Sequence, residues 1–343
     1  MARSTVVAGA AMRGGGGERY TIRLLPGPED LMPTMSRATV LVPSLSSPIA
    51  PDQTLIFSPD FPLEERAGEA SAVSRAAGSP WSVARVGAAA EALREVAQEG
   101  ARRFGPLPEG ALPESAPGDA LGAYAFSFVR PSFAAPFASR REGVLFGERV
   151  LPAFGLWNDV DDATWSRAAA QLTVHRHSGP DDFVIEMEAR GDERVVVARC
   201  PRPETLGAVV AKVVATARRP RGRLGRWFGV KPFDRRCALK IPPIDLCAAR
   251  VHEELAGKPL ADGDGRRIGD ARHAVRFRLG WDALPPTEPG PLTLGRGDMY
   301  ERYFVCDGPF LVVVLGAPPQ DEVRLAAWIG SPEPLEGATA GAP

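Results

Sequence analysis

The chain has 343 residues, of which 44% are hydrophobic and 24% charged, and its 41 basic side chains nearly balance 42 acidic ones to a formal net charge of −1. That composition belongs to a globular chain able to bury a core, and it excludes a disordered one. Near-zero net charge gives no global attraction to nucleic acid or to an anionic membrane, and no apolar run approaches the roughly 18–20 residues that span a bilayer.

Residues 1–18 combine small side chains with the glycine run Gly14–Gly17 and predict a disordered start. The apolar patch Val6–Met12 is too short for a secretory signal, so a cytoplasmic protein is expected. Residues 19–335 predict a single folded domain, and 336–343 a disordered tail. Tyr20–Leu25 and Thr39–Val42 read as short strands, and Gln53–Pro59 as a buried strand closed by a Ser-Pro turn. Residues 64–76 have helical composition. Ser79-Pro80 predicts a helix start, with Val83, Val86, Ala90, Leu93 and Ala97 on one face and Gly105-Pro106 as its end. After a Pro/Gly linker over 105–119, the alternation of Tyr124, Phe126 and Phe128 predicts a half-buried strand.

Phe183, Ile185 and Met187 alternate towards a turn at Gly191-Asp192 and a return strand Val195–Val197, which predicts a hairpin. Leu206, Val209, Val210, Val213 and Val214 form the apolar stripe of a helix from about Pro203 to Ala217. A strand over Ala238–Ile241 precedes a short helix capped by Asp245 and ended by Gly257. Strands then follow at Val275–Leu279, 303–305, 310–315 and 323–329. Between the first two of these lies Trp281–Gly295, where Pro285, Pro286, Pro289 and Pro291 exclude both helix and central strand. The sum is an α+β protein, strand-rich towards its C-terminus.

Motifs that carry chemistry are sparse. Cys200, Cys237, Cys247 and Cys306 are widely spaced and read as small buried hydrophobes, not as a disulfide framework or a zinc site. His175 and His177, near Asp181 and Asp182, lack a third ligand at a diagnostic spacing, so neither a metal nor a cofactor is expected. No Gly-x-Ser-x-Gly elbow, phosphate-binding glycine loop or His-Glu-x-x-His is present, and no enzyme is expected. A site assembled in space around His252 or His273 stays open as an alternative. Arginines at 218, 219, 221, 223 and 226 beside Trp227 and Phe228 form a basic cluster, read as a solvated linker and not as a nucleic-acid site.

The order of motifs resembles that of the serpin family. CDGPFLVVVL from Cys306 and VRLAAWIGSPEP from Val323 resemble the closing hairpin of that family. Phe128–Phe137 (FVRPSFAAPF) resembles the third strand of its large sheet, with Phe133 where the family has tryptophan and Arg130 where it has lysine. Leu55–Pro59, Phe183–Pro201, Leu239–Gly257 and Ile268–Leu279 match further segments in the correct order, with His273 on the family's histidine.

The resemblance implies a truncated serpin-like fold: a large mixed/antiparallel sheet, a C-terminal β-hairpin core and few covering helices. The stretch between Pro59 and Ala125 is roughly half the length the family uses there. The hinge would be Gly280–Gly290, whose prolines lack the N–H that a central strand donates, so protease trapping by loop insertion is not expected. Such a shortened protein resembles the peptide-binding accessory proteins of crocagin-type ribosomal peptide biosynthesis. That implies a non-catalytic protein that holds a precursor peptide by strand addition for tailoring enzymes. The expected site is the face or edge near Arg130, Phe133, Arg276, Arg278 and Trp281, with an acidic or aromatic peptide entering between the strands near 124–130 and 273–281. The competing expectations are that another segment of the chain covers that sheet, and that 292–298 serves as the bait loop of a non-inserting protease inhibitor.

Overall fold

A computed structural model describes residues 48–50, 52–66, 69–72, 80–116, 120–201, 205–218, 231–261, 265–280, 283–284, 300–318, 321–332 and 335. All of them fall in one compact unit. The strands expected at Tyr20–Leu25 and Thr39–Val42, the disordered termini, most of the proline-rich linker and the basic cluster beyond Arg218 lie outside these residues.

In chain order the elements are β1 (Leu55–Phe57), β2 (Leu63–Arg66), β3 (Glu69–Ala72), β4 (Ser82–Ala88), α1 (Ala89–Phe104), β5 (Leu121–Val129), β6 (Ala138–Phe146), β7 (Arg149–Leu156) and α2 (Asp162–Ala169). They continue with β8 (Leu172–Gly179), β9 (Asp182–Glu188), β10 (Arg194–Arg199), α3 (Leu206–Ala217), β11 (Cys237–Ile241), β12 (Ile244–Val251), β13 (Ile268–Leu279), β14 (Arg302–Val305), β15 (Phe310–Leu315) and β16 (Val323–Ile329). The fold is α+β, with mixed and antiparallel sheets, a C-terminal hairpin at its core and few helices, as expected.

The first sheet has the order β1-β16-β15-β10-β9-β8 and is antiparallel throughout. Its centre is β15, whose FLVVVL run is buried on both faces. One face meets α3, where Leu206, Val209, Val210 and Val213 pack on Val184, Val196, Val313 and Trp328. The other face contributes Ile185, Val195 and Val312 to the main core. Phe154, Leu239 and Phe304 reach that core from the second sheet, β14-β11-β7-β6, and Val275, Phe277 and Leu279 from the third, β12-β13-β5-β4. At about 1.5–3 kcal/mol for each large apolar side chain buried, this shared core holds the three sheets together.

Two expected helices are strands. Ser82–Ala88 pairs antiparallel with β5, from Ser82↔Ser127 to Ala88↔Leu121, and the helix starts only at Ala89. The chain from Asp245 onwards pairs with β13, from Ile244↔Leu279 to Val251↔Arg272, and only Glu253–Leu255 forms a single 3₁₀ turn. In both cases a long partner strand outweighs local propensity. The helical composition of 64–72 is likewise overridden by the β2–β3 hairpin.

The third sheet is less exposed than expected. Ala92, Leu93 and Val96 of α1 cover Val83, Tyr124, Phe126 and Ala274 on one face. Phe61, Leu63, Ala70 and Leu255 cover Ala84, Ala123, Ala125 and Ala271 on the other. Nor is there a gap between the strands at 124–130 and 273–281: β5 and β13 pair directly and in parallel, from Leu121↔Ile268 to Val129↔Phe277. Other segments of the chain thus cover residues on both faces of this sheet.

Candidate functional site

Each edge of the third sheet leaves one strand side unpaired, and the two edges differ. His252 N donates to Ala271 O at 2.8 Å, just beyond the pair Val251↔Arg272. In an antiparallel ladder bonded and non-bonded pairs alternate, so Ile244, Leu246, Ala248 and Arg250 bond to β13. The N–H and C=O groups of Asp245, Cys247, Ala249 and Val251 therefore point away from the sheet, and among the described residues they have no hydrogen-bond partner. The strand runs without a bulge, and Val251 is 48% exposed.

At β4 the same reasoning starts from Phe128 N donating to Trp81 O at 2.7 Å and turns Ser82, Ala84 and Val86 outward. There the outward carbonyls of Ser82 and Ala84 are capped. Arg103 donates to Ser82 O at 2.7 Å and to Pro80 O at 2.5 Å, and Arg85 donates to Ala84 O at 2.9 Å. Such capping by charged side chains removes an edge as a template for pairing. Among the other edges, β6 and β8 are interrupted by register shifts, and β1 and β14 are short. Among the described residues β12 is the long, regular and uncapped edge.

Beside it lies a charged cluster. Arg276 binds Asp245 with two hydrogen bonds, Nε to Oδ1 at 3.1 Å and Nη2 to Oδ2 at 2.9 Å, and Arg278 Nε donates to Asp245 Oδ2 at 3.1 Å. The Arg276 guanidinium stands 6.0 Å from the centre of the Phe128 ring. Both arginines are mostly covered, at 17% and 24% side-chain exposure. Val275, Phe277 and Leu279 point into the core opposite them, as the alternation predicts. Of the other expected site residues, Arg130 is exposed beyond the end of β5. Phe133 is buried at 6% and stacks edge-on against Phe137 at 5.0 Å, so it offers no surface to a peptide. Trp281 and the stretch 292–298, expected as a bait loop in the competing reading, lie outside the described residues.

The sequence reading missed the outward residues of β12 because Asp245 looked like a helix cap. The period-two burial of Ile244, Leu246 and Ala248 was the signal that could have found them.

Both histidines of the alternative site have a polar side-chain neighbour, and the His273 pair is fully buried. His273 Nε2 lies 2.9 Å from Ser127 Oγ, but Ser127 is 0% and His273 1% exposed. Burial, with the positive groups His252 and Arg250 nearby, pushes the His273 pKa down to about 3, so the imidazole is neutral. His252 stacks on Phe61 at 3.9 Å and approaches Glu254 at 3.0 Å. His175 and His177 stand on β8; the first meets Glu186 at 2.9 Å and the second the Tyr303 carbonyl at 3.3 Å. Among the described residues no group of three His, Cys, Asp or Glu side chains could hold a metal ion, and the cysteines are unbridged.

No family model matches the chain, and no curated protein matches it. Among solved structures it is similar to thyroxine-binding globulin in complex with thyroxine, at 11% identity over 71% of this chain and 65% of that one, with a TM-score of 0.45. Human kallistatin is similar at 13% identity, over 71% and 64% of the two chains, with a TM-score of 0.46. Serpin48, a highly specific serpin of the insect Tenebrio molitor, is similar at 9% identity, over 70% and 65%, with a TM-score of 0.41. The chain thus spans about 65% of the length of the first of these structures. At such identity and score the similarity concerns the course of the chain alone.

Proposed function

We propose that this is a non-catalytic peptide-binding protein that takes an extended peptide onto the outer edge of β12 by strand addition. The observation that supports the reading is the contrast between the two edges of one sheet: β4 is capped by Arg85 and Arg103, while Asp245, Cys247, Ala249 and Val251 present their backbone groups uncapped. Entry between β5 and β13 would require breaking their parallel ladder, whereas edge addition breaks nothing.

About six new backbone hydrogen bonds at about 0.5–1.5 kcal/mol each supply roughly 3–9 kcal/mol, against an association cost of about 4–15 kcal/mol. Side chains must therefore contribute. At one end of the edge Ala249 and Val251 are exposed and suit small or apolar residues of the ligand. At the other, Arg276 and Arg278 are already bound to Asp245, so an acidic ligand residue there competes with an ion pair. The ligand is accordingly an extended peptide with apolar alternate residues. A precursor peptide offered to tailoring enzymes is the partner the sequence resemblance implies, and it fits this mode because a strand held by its backbone keeps its other side chains accessible.

The test is Ala249→Pro, which removes an outward N–H while leaving the bonds to β13 intact. Octapeptides are selected from a random library on the immobilised protein and measured by fluorescence anisotropy. We expect binding to fall at least about tenfold in Ala249→Pro, the equivalent of one lost charge-neutral bond plus edge distortion. We also expect amide exchange at Cys247, Ala249 and Val251 to slow on binding. Peptides that bind the proline variant as well as the wild type, or no selected binder at all, would sink the reading.

A further inference from the structure

Away from that edge, on the second sheet, two cations stand together with little negative charge among the described residues. Arg140 of β6 and Lys240 of β11 flank β7, where Ala153 is paired with Arg140 and Gly155 with Lys240. Arg140 is only 11% exposed. Its guanidinium carbon lies 4.9 Å from the centre of the Trp157 ring, and one terminal nitrogen pairs with Asp159. Its Nε is buried with no hydrogen-bond partner. Lys240 is half-buried and, among the described residues, makes no ion pair. Burial, then repulsion by Arg140, lowers the affinity of its amine for a proton. Tyr300 completes the cluster, accepting a hydrogen bond from Asn158 N at 2.9 Å.

A desolvated ammonium without a counter-charge, beside an orphaned guanidinium N–H, is costly, and a fold that keeps both holds a place for what would satisfy them. Asp159 pairs with Arg140, and among the described residues no carboxylate pairs with Lys240. We propose that Arg140 and Lys240 form a binding site for an oxyanion, a carboxylate or a phosphate group, with Nε of Arg140 and Nζ of Lys240 as donors. A planar guanidinium and a compact ammonium are the pair of donors such groups take. The site does not depend on peptide binding at β12, since none of its residues belongs to the third sheet.

The chain has only four lysines, Lys212, Lys231, Lys240 and Lys258, so methyl signals from reductive ¹³C-methylation can be assigned by substitution. Sodium phosphate and sodium acetate are titrated separately at constant ionic strength against sodium chloride. The phosphate arm reports a phosphate-bearing ligand and the acetate arm a carboxylate. We expect the Lys240 signal alone to shift with saturation in at least one arm, and its titration midpoint to move upward. The melting temperature should rise by about 1–2 °C at several times Kd. Lys240→Met should abolish that rise, and Lys240→Arg should keep it. An equal rise in Lys240→Met, a shift shared by all four lysines, or no response in either arm would overturn the proposal.

Discussion

Single residues show where polar groups were admitted to the interior and on what terms. Ser127 and His273 are both buried in the third sheet, and each is the other's hydrogen-bond partner at 2.9 Å. Ser127→Ala should therefore cost about 1–3 kcal/mol, because it strands a buried imidazole nitrogen; urea denaturation at pH 7 measures it. Tyr124 donates to Asp270 Oδ2 at 3.0 Å, and Arg272 Nε reaches both oxygens of that carboxylate at 3.0 Å. Asp270 is 7% exposed, so its charge is tolerable only through those donors. The Ser127–His273 and Tyr124–Asp270 pairs were not legible in the sequence. Their partners lie 146 positions apart, and no local pattern marks residues that meet only across β5 and β13.

At the scale of elements, register is held by positions that admit no side chain. Gly155 in β7 has φ +150°, and a Cβ there would stand 2.0 Å from the Leu239 carbonyl oxygen of β11. Gly155→Ala should push β11 away from β7 and cost about 3 kcal/mol or more, seen as a lower urea midpoint and faster amide exchange along Leu239–Ile241. The elements that could be read from sequence are those whose apolar period survives alone. These are α3 with its Leu206–Val214 stripe, the β9–β10 hairpin turning at Gly191 and Asp192 with positive φ, and the run of β15. Those that could not are β4 and β12. Their residues carry a helix cap or helical spacing, and they become strands because β5 and β13 each offer a full-length partner. β6 and β7 drew no prediction because their charged and glycine-broken hairpin has neither period.

For the whole molecule, His273 and Glu193 pull the acid stability in opposite directions. The unfolded chain protonates His273 near its ordinary 6.5 and the folded chain only near 3, so between those values the unfolded state binds the extra proton and acidification destabilises. Glu193 is buried, and its pKa is pushed up from 4.5 to about 7, so between 4.5 and 7 the folded state binds the extra proton and acidification stabilises. Over pH 6.5–4.5 these two contributions largely cancel, and below that the Glu193 contribution no longer offsets the His273 loss. Glu193→Gln removes the compensation. Its stability should fall more steeply than that of the wild type between pH 6.5 and 4.5, by about 1.4 kcal/mol per pH unit, measurable by urea denaturation at pH 6.5, 5.5 and 4.5. Parallel curves for the two proteins would refute the assignment.

By itself the sequence determined the α+β class, the C-terminal strand pair and the outward alternation of Arg276 and Arg278 from the core face of β13, because these follow from composition and periods of 2 and 3.6 residues. Only the tertiary structure decided that β5 and β13 close on each other, that β4 is capped by arginines while β12 is not, that Phe133 is core, and that Lys240 stands beside Arg140. Each of these depends on two segments distant in the chain arriving at one place. Pairing and burial there outweigh a local propensity spread of about 1 kcal/mol per residue.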